Sequence, residues 1–246
     1  MKYYIIFCLL LLLTSCFPSP HSETGNAAGE ADSTGITETR DTMLENAGVE
    51  EGYPLSGTPP VYDYDTSEWA DIKHLDPGIR LEIRYATDSN FVGEKLYACG
   101  RCFLRPEVAR AVVRAHRELQ ERGLGLKMFD CYRPLSVQWR LWEKISTPGY
   151  VADPRKGSVH NRGGAVDLTI VNAKGKALDM GTPFDYFGQK AYHTYQQLPD
   201  SVRYHRQILK DLMEAYGFRS IRTEWWHFSY TKERYPISEM VWECPE

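Results

Sequence analysis

Residues 78–86, GIRLEIRYA, alternate in polarity. Ile79, Leu81 and Ile83 share one face and Arg80, Glu82 and Arg84 the other, which predicts a strand. Helical spacing follows. Pro106 stands in a first turn, Val108, Val112, Ala115, His116 and Leu119 recur every three or four positions, and Gly123 ends the run. The stretch 124–130, LGLKMFD, reads as a strand. Pro134 opens a second helix with Val137, Leu141 and Ile145 on one side. Residues 164–171 are a strong strand. A third helix over 201–216 buries Ile208, Leu209, Leu212, Met213 and Tyr216, and Gly217 closes it. The aromatic run 219–230 is β-like. The pattern predicts an α+β domain over 71–246. Its alternating order could suit a parallel sheet, but no Gly-rich phosphate loop accompanies it, so the topology stays open.

Upstream the pattern changes. Lys2 precedes the apolar run YYIIFCLLLLL, too short for a comfortable membrane span and laid out as a secretory signal over 1–15. Leu13-Thr14-Ser15-Cys16 resembles a bacterial lipobox, in which the Cys is lipidated and anchors the chain to a membrane outside the cytoplasm. Residues 16–70 are rich in Gly, Ser, Thr, Pro and acids, a composition that cannot bury enough apolar surface to fold. They read as a disordered acidic linker.

Charge sharpens that division. The whole chain carries −4, while residues 17–51 hold eight acids and one base, a net of −7. The remainder from residue 52 is near +2, so no strong basic face is implied, which argues against nucleic acid as a partner. Of six cysteines, four fall in the domain: Cys99, Cys102, Cys131 and Cys244. In an exported chain they are expected to form disulfides, with three full pairings open.

The chemistry centres on GSVHNRGGAVDLTI, 157–170. Asp167 interrupts an apolar strand, where a carboxylate is costly unless paired. Strand geometry puts Ala165, Asp167 and Thr169 on one face, small and polar, and Val166, Leu168 and Ile170 on the other. Gly163-Gly164 lets the chain turn sharply, and His160 lies across that turn. A catalytic zinc takes three protein ligands, and His227, in TEWWHF, is the candidate third beside His160 and Asp167. Glu224 is then an uncoordinated general base. It lies three residues before His227, so one shared site demands a bulge or turn between them. Arg133, in FDCYRP, suits a developing oxyanion. On spacing alone, Asp167 has an alternative partner in Arg162, and His160 an alternative structural role at the turn.

These residues resemble a family. SVHNRGGAVD fits the S-x-H-x-x-G-x-A-x-D pattern of zinc D-alanyl-D-alanine peptidases, and EWWH fits their second motif. DCYRP, RYATDSNFVG (84–93) and MGTPFDYF (180–187) are similar to segments of the VanX-type D-alanyl-D-alanine dipeptidases. The resemblance implies the α+β hedgehog/D-Ala-D-Ala peptidase fold with a mainly antiparallel sheet, one zinc on His160, Asp167 and His227, and Glu224 and Arg133 as catalytic groups. It implies hydrolysis of D-Ala-D-Ala in cell-wall peptide turnover. Asp185 would hold the substrate ammonium, with Tyr85 and Ser158 lining the pocket. Two alternatives are a zinc D,D-carboxypeptidase acting on longer stem peptides and a non-catalytic zinc-binding domain. The presence of both Glu224 and Arg133 argues against the second.

Overall fold

A computed structural model describes residues 60–146 and 150–244. The leader, Cys16 and the acidic segment up to residue 59 lie outside the described residues. Strand β1 (Ala70–Asp71) runs into the one-turn helix α1 (Ile72–Leu75), capped by the Asp71 carboxylate, which accepts from Lys73 N at 3.1 Å. There follow β2 (Arg80–Leu81), β3 (Phe103–Leu104), α2 (Pro106–Gln120), β4 (Leu124–Asp130), α3 (Leu135–Lys144), β5 (Ala165–Asn172), α4 (Asp200–Ala215), β6 (Phe218–Ile221) and β7 (Glu224–Tyr230).

Five strands form one sheet in the order β2-β4-β5-β7-β6. Within it only β2 with β4 is parallel; β4–β5, β5–β7 and β6–β7 are antiparallel. The sheet is therefore mainly antiparallel, and the alternating element order does not signal a doubly wound sheet here. Residues 219–230 are not one strand: β6 and β7 form a hairpin. Val166, Leu168 and Ile170 of β5 lie in one core with Val108, Val112 and Leu119 of α2 and Leu209 and Met213 of α4. Each such side chain contributes about 1.5–3 kcal/mol on full burial. The opposite face of β5 presents Asp167 and Thr169.

Two expectations need correction. The alternation over 78–86 gives only the two-residue strand β2, after which the chain tightens into a single 3₁₀ turn, Arg84–Ala86. Ile79 and Ile83 still reach the core, being buried, so the apolar positions serve packing without a continuous ladder. The folded part also begins before residue 71. Trp69 is buried, its ring 4.4 Å from that of Tyr132 and 4.4 Å from the Arg105 guanidinium carbon. A β-carbon on Gly163 would stand 2.6 Å from the Trp69 ring, and Gly163 has φ +70. This position therefore demands glycine on two counts.

The cysteine pairing is Cys102–Cys131 and Cys99–Cys244. After β7 the chain runs as a strap to Cys244, crossing β3 and the segment that follows β4. Ser238 N donates to Asn161 O at 2.9 Å. Tyr132 Oη donates to Ser238 O at 2.9 Å and lies 3.1 Å from Met240 O. Near the end of the strap, the Trp242 ring packs 5.3 Å from that of Tyr97 and 5.7 Å from that of Phe103.

Candidate metal centre

The donors come from three places. His160 sits in a 3₁₀ turn, His160–Arg162, ended by Gly163; Asp167 lies on β5 and His227 on β7, paired directly across the ladder. His160 Nε2 is 3.1 Å from His227 Nδ1 and 3.4 Å from Asp167 Oδ1, and His227 Nδ1 is 3.0 Å from Asp167 Oδ1. A tetrahedral ion with bonds of about 2.0–2.1 Å separates its donors by roughly 3.3 Å, so this triangle fits zinc.

The surrounding hydrogen bonds agree. His160 Nδ1 lies 2.7 Å from Cys131 O. A carbonyl only accepts, so Nδ1 carries the proton and Nε2 presents a lone pair. His227 Nε2 lies 2.9 Å from Ser229 Oγ, which can accept from it and leave Nδ1 free. Burial alone would raise the pKa of Asp167, but the two imidazoles override it and hold the carboxyl well below its usual range. Burial likewise works against a charged His160, yet its pKa rises, because the Asp167 carboxylate attracts the charged form. The centre thus favours positive charge. Arg162 is not the partner of Asp167: its Nη1 donates to Tyr235 O at 2.9 Å.

The bulge required between Glu224 and His227 is present. Ser220 pairs with Phe228, whereas the next residue of β6, Ile221, pairs with Glu224. The irregularity lets Glu224 and His227 line one cavity of about 360 Å³, together with His160, Asp167, Arg133 and Asp185. Burial pushes the Glu224 carboxyl up to about 7, and the charge of His227 opposes it.

Arg133 follows β4 and is gripped on three sides. Its Nε and Nη2 donate to Asp130 Oδ2 at 3.0 and 2.6 Å, and Nη1 donates to Gln138 Oε1 at 2.9 Å. Tyr97 Oη donates to Asp130 Oδ1 at 2.7 Å. An arginine has five N–H donors, so two remain for a ligand. Asp130, Tyr97 and Gln138 are not among the residues the sequence points to, although Asp130 opens the DCYRP motif.

Tyr85, from the 3₁₀ turn after β2, donates its hydroxyl to Asp185 Oδ2 at 3.0 Å. Burial, then the charge of Asp167, pushes Asp185 up to about 8. Asp185 has φ 56, a left-handed conformation that Asp tolerates better than most residues. Ser158 lines the same cavity, and its Oγ accepts from His160 N at 3.1 Å. Arg206 on α4 is a further residue without a sequence signal. It is buried, and it donates to Met180 O at 2.8 Å, Tyr192 O at 3.2 Å and Lys190 O at 2.9 Å. Those carbonyls bracket the loop that carries Asp185. His116, expected in packing, is buried and accepts from Leu126 N at 3.0 Å.

The chain is similar to known proteins over most of the described residues. The family model described as D-ala-D-ala dipeptidase, Peptidase_M15, matches residues 65–242. The D-alanyl-D-alanine dipeptidase of Escherichia coli (strain K12) is 34% identical over 181 residues, covering 73% of this chain and 94% of that protein. That of Enterococcus faecalis (strain ATCC 700802 / V583) is 31% identical over 183 residues, covering 65% of this chain and 89% of that protein.

Proposed function

The chain belongs to the Peptidase_M15 D-Ala-D-Ala dipeptidase family, and from that premise we propose how its residues divide the work. The protein is a zinc metallopeptidase that hydrolyses D-alanyl-D-alanine to two D-alanines. The observation that carries the reading is the convergence of His160, Asp167 and His227 in one cavity with Glu224 and Arg133.

His160, Asp167 and His227 hold the zinc, which when bound acidifies water and polarises a carbonyl. Glu224 takes the proton of the attacking water and delivers it to the leaving amine. Arg133 uses its two remaining N–H groups on the developing oxyanion. Asp185, supported by Tyr85, receives the substrate ammonium, and Ser158 lines the pocket. A substrate blocked or extended at its amino end cannot make that ion pair. Purified protein is expected to cleave D-Ala-D-Ala and to leave a stem pentapeptide ending in D-Ala-D-Ala intact. Release of D-alanine from the pentapeptide alone would establish the carboxypeptidase alternative instead.

Arg206 fixes the Asp185 loop from behind. Burial lowers its pKa to about 10, so it is charged at neutral pH. Hydrogen bonds from a charged donor contribute about 1.5–3 kcal/mol. Arg206→Gln should therefore raise KM for D-Ala-D-Ala about tenfold or more with kcat nearly unchanged, as steady-state kinetics will show.

The protein is exported and anchored through a lipid on Cys16. The Leu13–Cys16 pattern supports this, and two disulfides suit an oxidising compartment. A Cys16→Ser variant should move from the membrane fraction to the soluble fraction on cell fractionation.

A further inference from the structure

A second cavity of about 490 Å³ adjoins the catalytic one. The two share Gly157, Val159, Ile221 and Ser229. Four cations line the second cavity: Arg162, Arg219, Lys232 and Arg234; Glu233 is the one acid in its lining. The Arg162 guanidinium donates to the carbonyls of Tyr235 and Lys156 and to no carboxylate among the described residues. None of the four cations has a carboxylate within ion-pair distance among the described residues. Four like charges against one acid in a cleft attract an anion to it.

Its position in the sheet gives the cleft a direction. Tyr85 follows β2, at one edge of the order β2-β4-β5-β7-β6, and binds Asp185. Arg219 lies on β6, at the other edge, and the metal donors on β5 and β7 stand between. An ammonium at Asp185 and a scissile carbonyl at the metal centre therefore leave the carboxyl end of a substrate facing the cations. One further residue adds at most about 3.6 Å of chain.

The geometry points to a second binding site, for a carboxylate beyond the scissile bond. It rests on the dipeptidase reading above and extends it to a further activity: removal of the first residue from a tripeptide with a free amino end. Water adds its hydroxyl to the first acyl carbon, the C–N bond breaks, and the amine of the released dipeptide takes the proton. The same groove would accept an acidic side chain on the second residue.

The test compares D-Ala-D-Ala-D-Ala, its C-terminal amide, D-Ala-D-Glu and D-Ala-D-Gln, using zinc-loaded wild type and an Arg219→Ser/Arg234→Ser variant. Zinc content and melting temperature check that the variant is folded. Wild type is expected to cleave the free tripeptide at its first bond about tenfold faster in kcat/KM than the amide, a ratio that falls towards one in the variant. A preference for D-Ala-D-Glu over D-Ala-D-Gln that is lost in the variant identifies the side chain as the source of the carboxylate. Equal rates for charged and neutral partners in both pairs, or charge preferences unchanged in the variant, overturn the site. Failure of wild type to cleave D-Ala-D-Ala overturns the dipeptidase reading itself.

Discussion

Replacing Glu224 with glutamine lowers kcat for D-Ala-D-Ala by about 10²–10⁴-fold and leaves one zinc per chain. The substitution keeps size and shape but removes the proton acceptor, and Glu224 is not one of the three converging donors. Burial raises its carboxyl from 4.5 to about 7, and a bound cation pulls it back down. A general base works ionised, so wild-type kcat/KM should fall with decreasing pH along a limb between those values. The residual rate of the variant should lack that limb. D-alanine release across pH, with metal measured on the same samples, decides the matter. A variant as active as wild type would remove Glu224 from the chemistry.

Stripping the zinc with a chelator should bring hydrolysis to background, and added zinc should restore it. His160→Ala should be inactive with or without added zinc. Without a cation, the lone pairs of two imidazoles and a carboxylate oppose one another 3.0–3.4 Å apart. Zinc at a thousandfold excess over Kd stabilises the folded state by about 4 kcal/mol. For a domain of this size that is on the order of 10 °C in Tm. Thermal melts with and without chelator read the effect directly. Full turnover after complete metal removal would refute a metal-dependent reaction.

The candidate metal donors stood out in the sequence because each breaks a local pattern. Asp167 is a carboxylate inside an apolar strand, His160 borders a glycine turn, and the spacing of Glu224 and His227 demanded an irregular strand. The helices were legible through Pro106, Gly123 and Gly217 and the recurrence of their apolar residues. What escaped depends on distant partners. Arg206 binds three backbone carbonyls of a loop, Gln138 answers Arg133, and Trp242 packs on Tyr97, contacts with no periodic signature. The early start of the fold was hidden because Trp69 follows a polar, acid-rich stretch, and the shortness of β2 because alternation records burial and not hydrogen bonding.

The Cys99–Cys244 bond joins residues 145 positions apart. The ring it closes contains Arg133, His160, Asp167, Glu224 and His227. This link can form only once residue 244 has been made, and a chain cut short after β7 would retain every reactive group yet lose the Trp242 wedge behind Tyr97. The strap after β7 thus acts as a keystone, closing a ring around the groups of the centre.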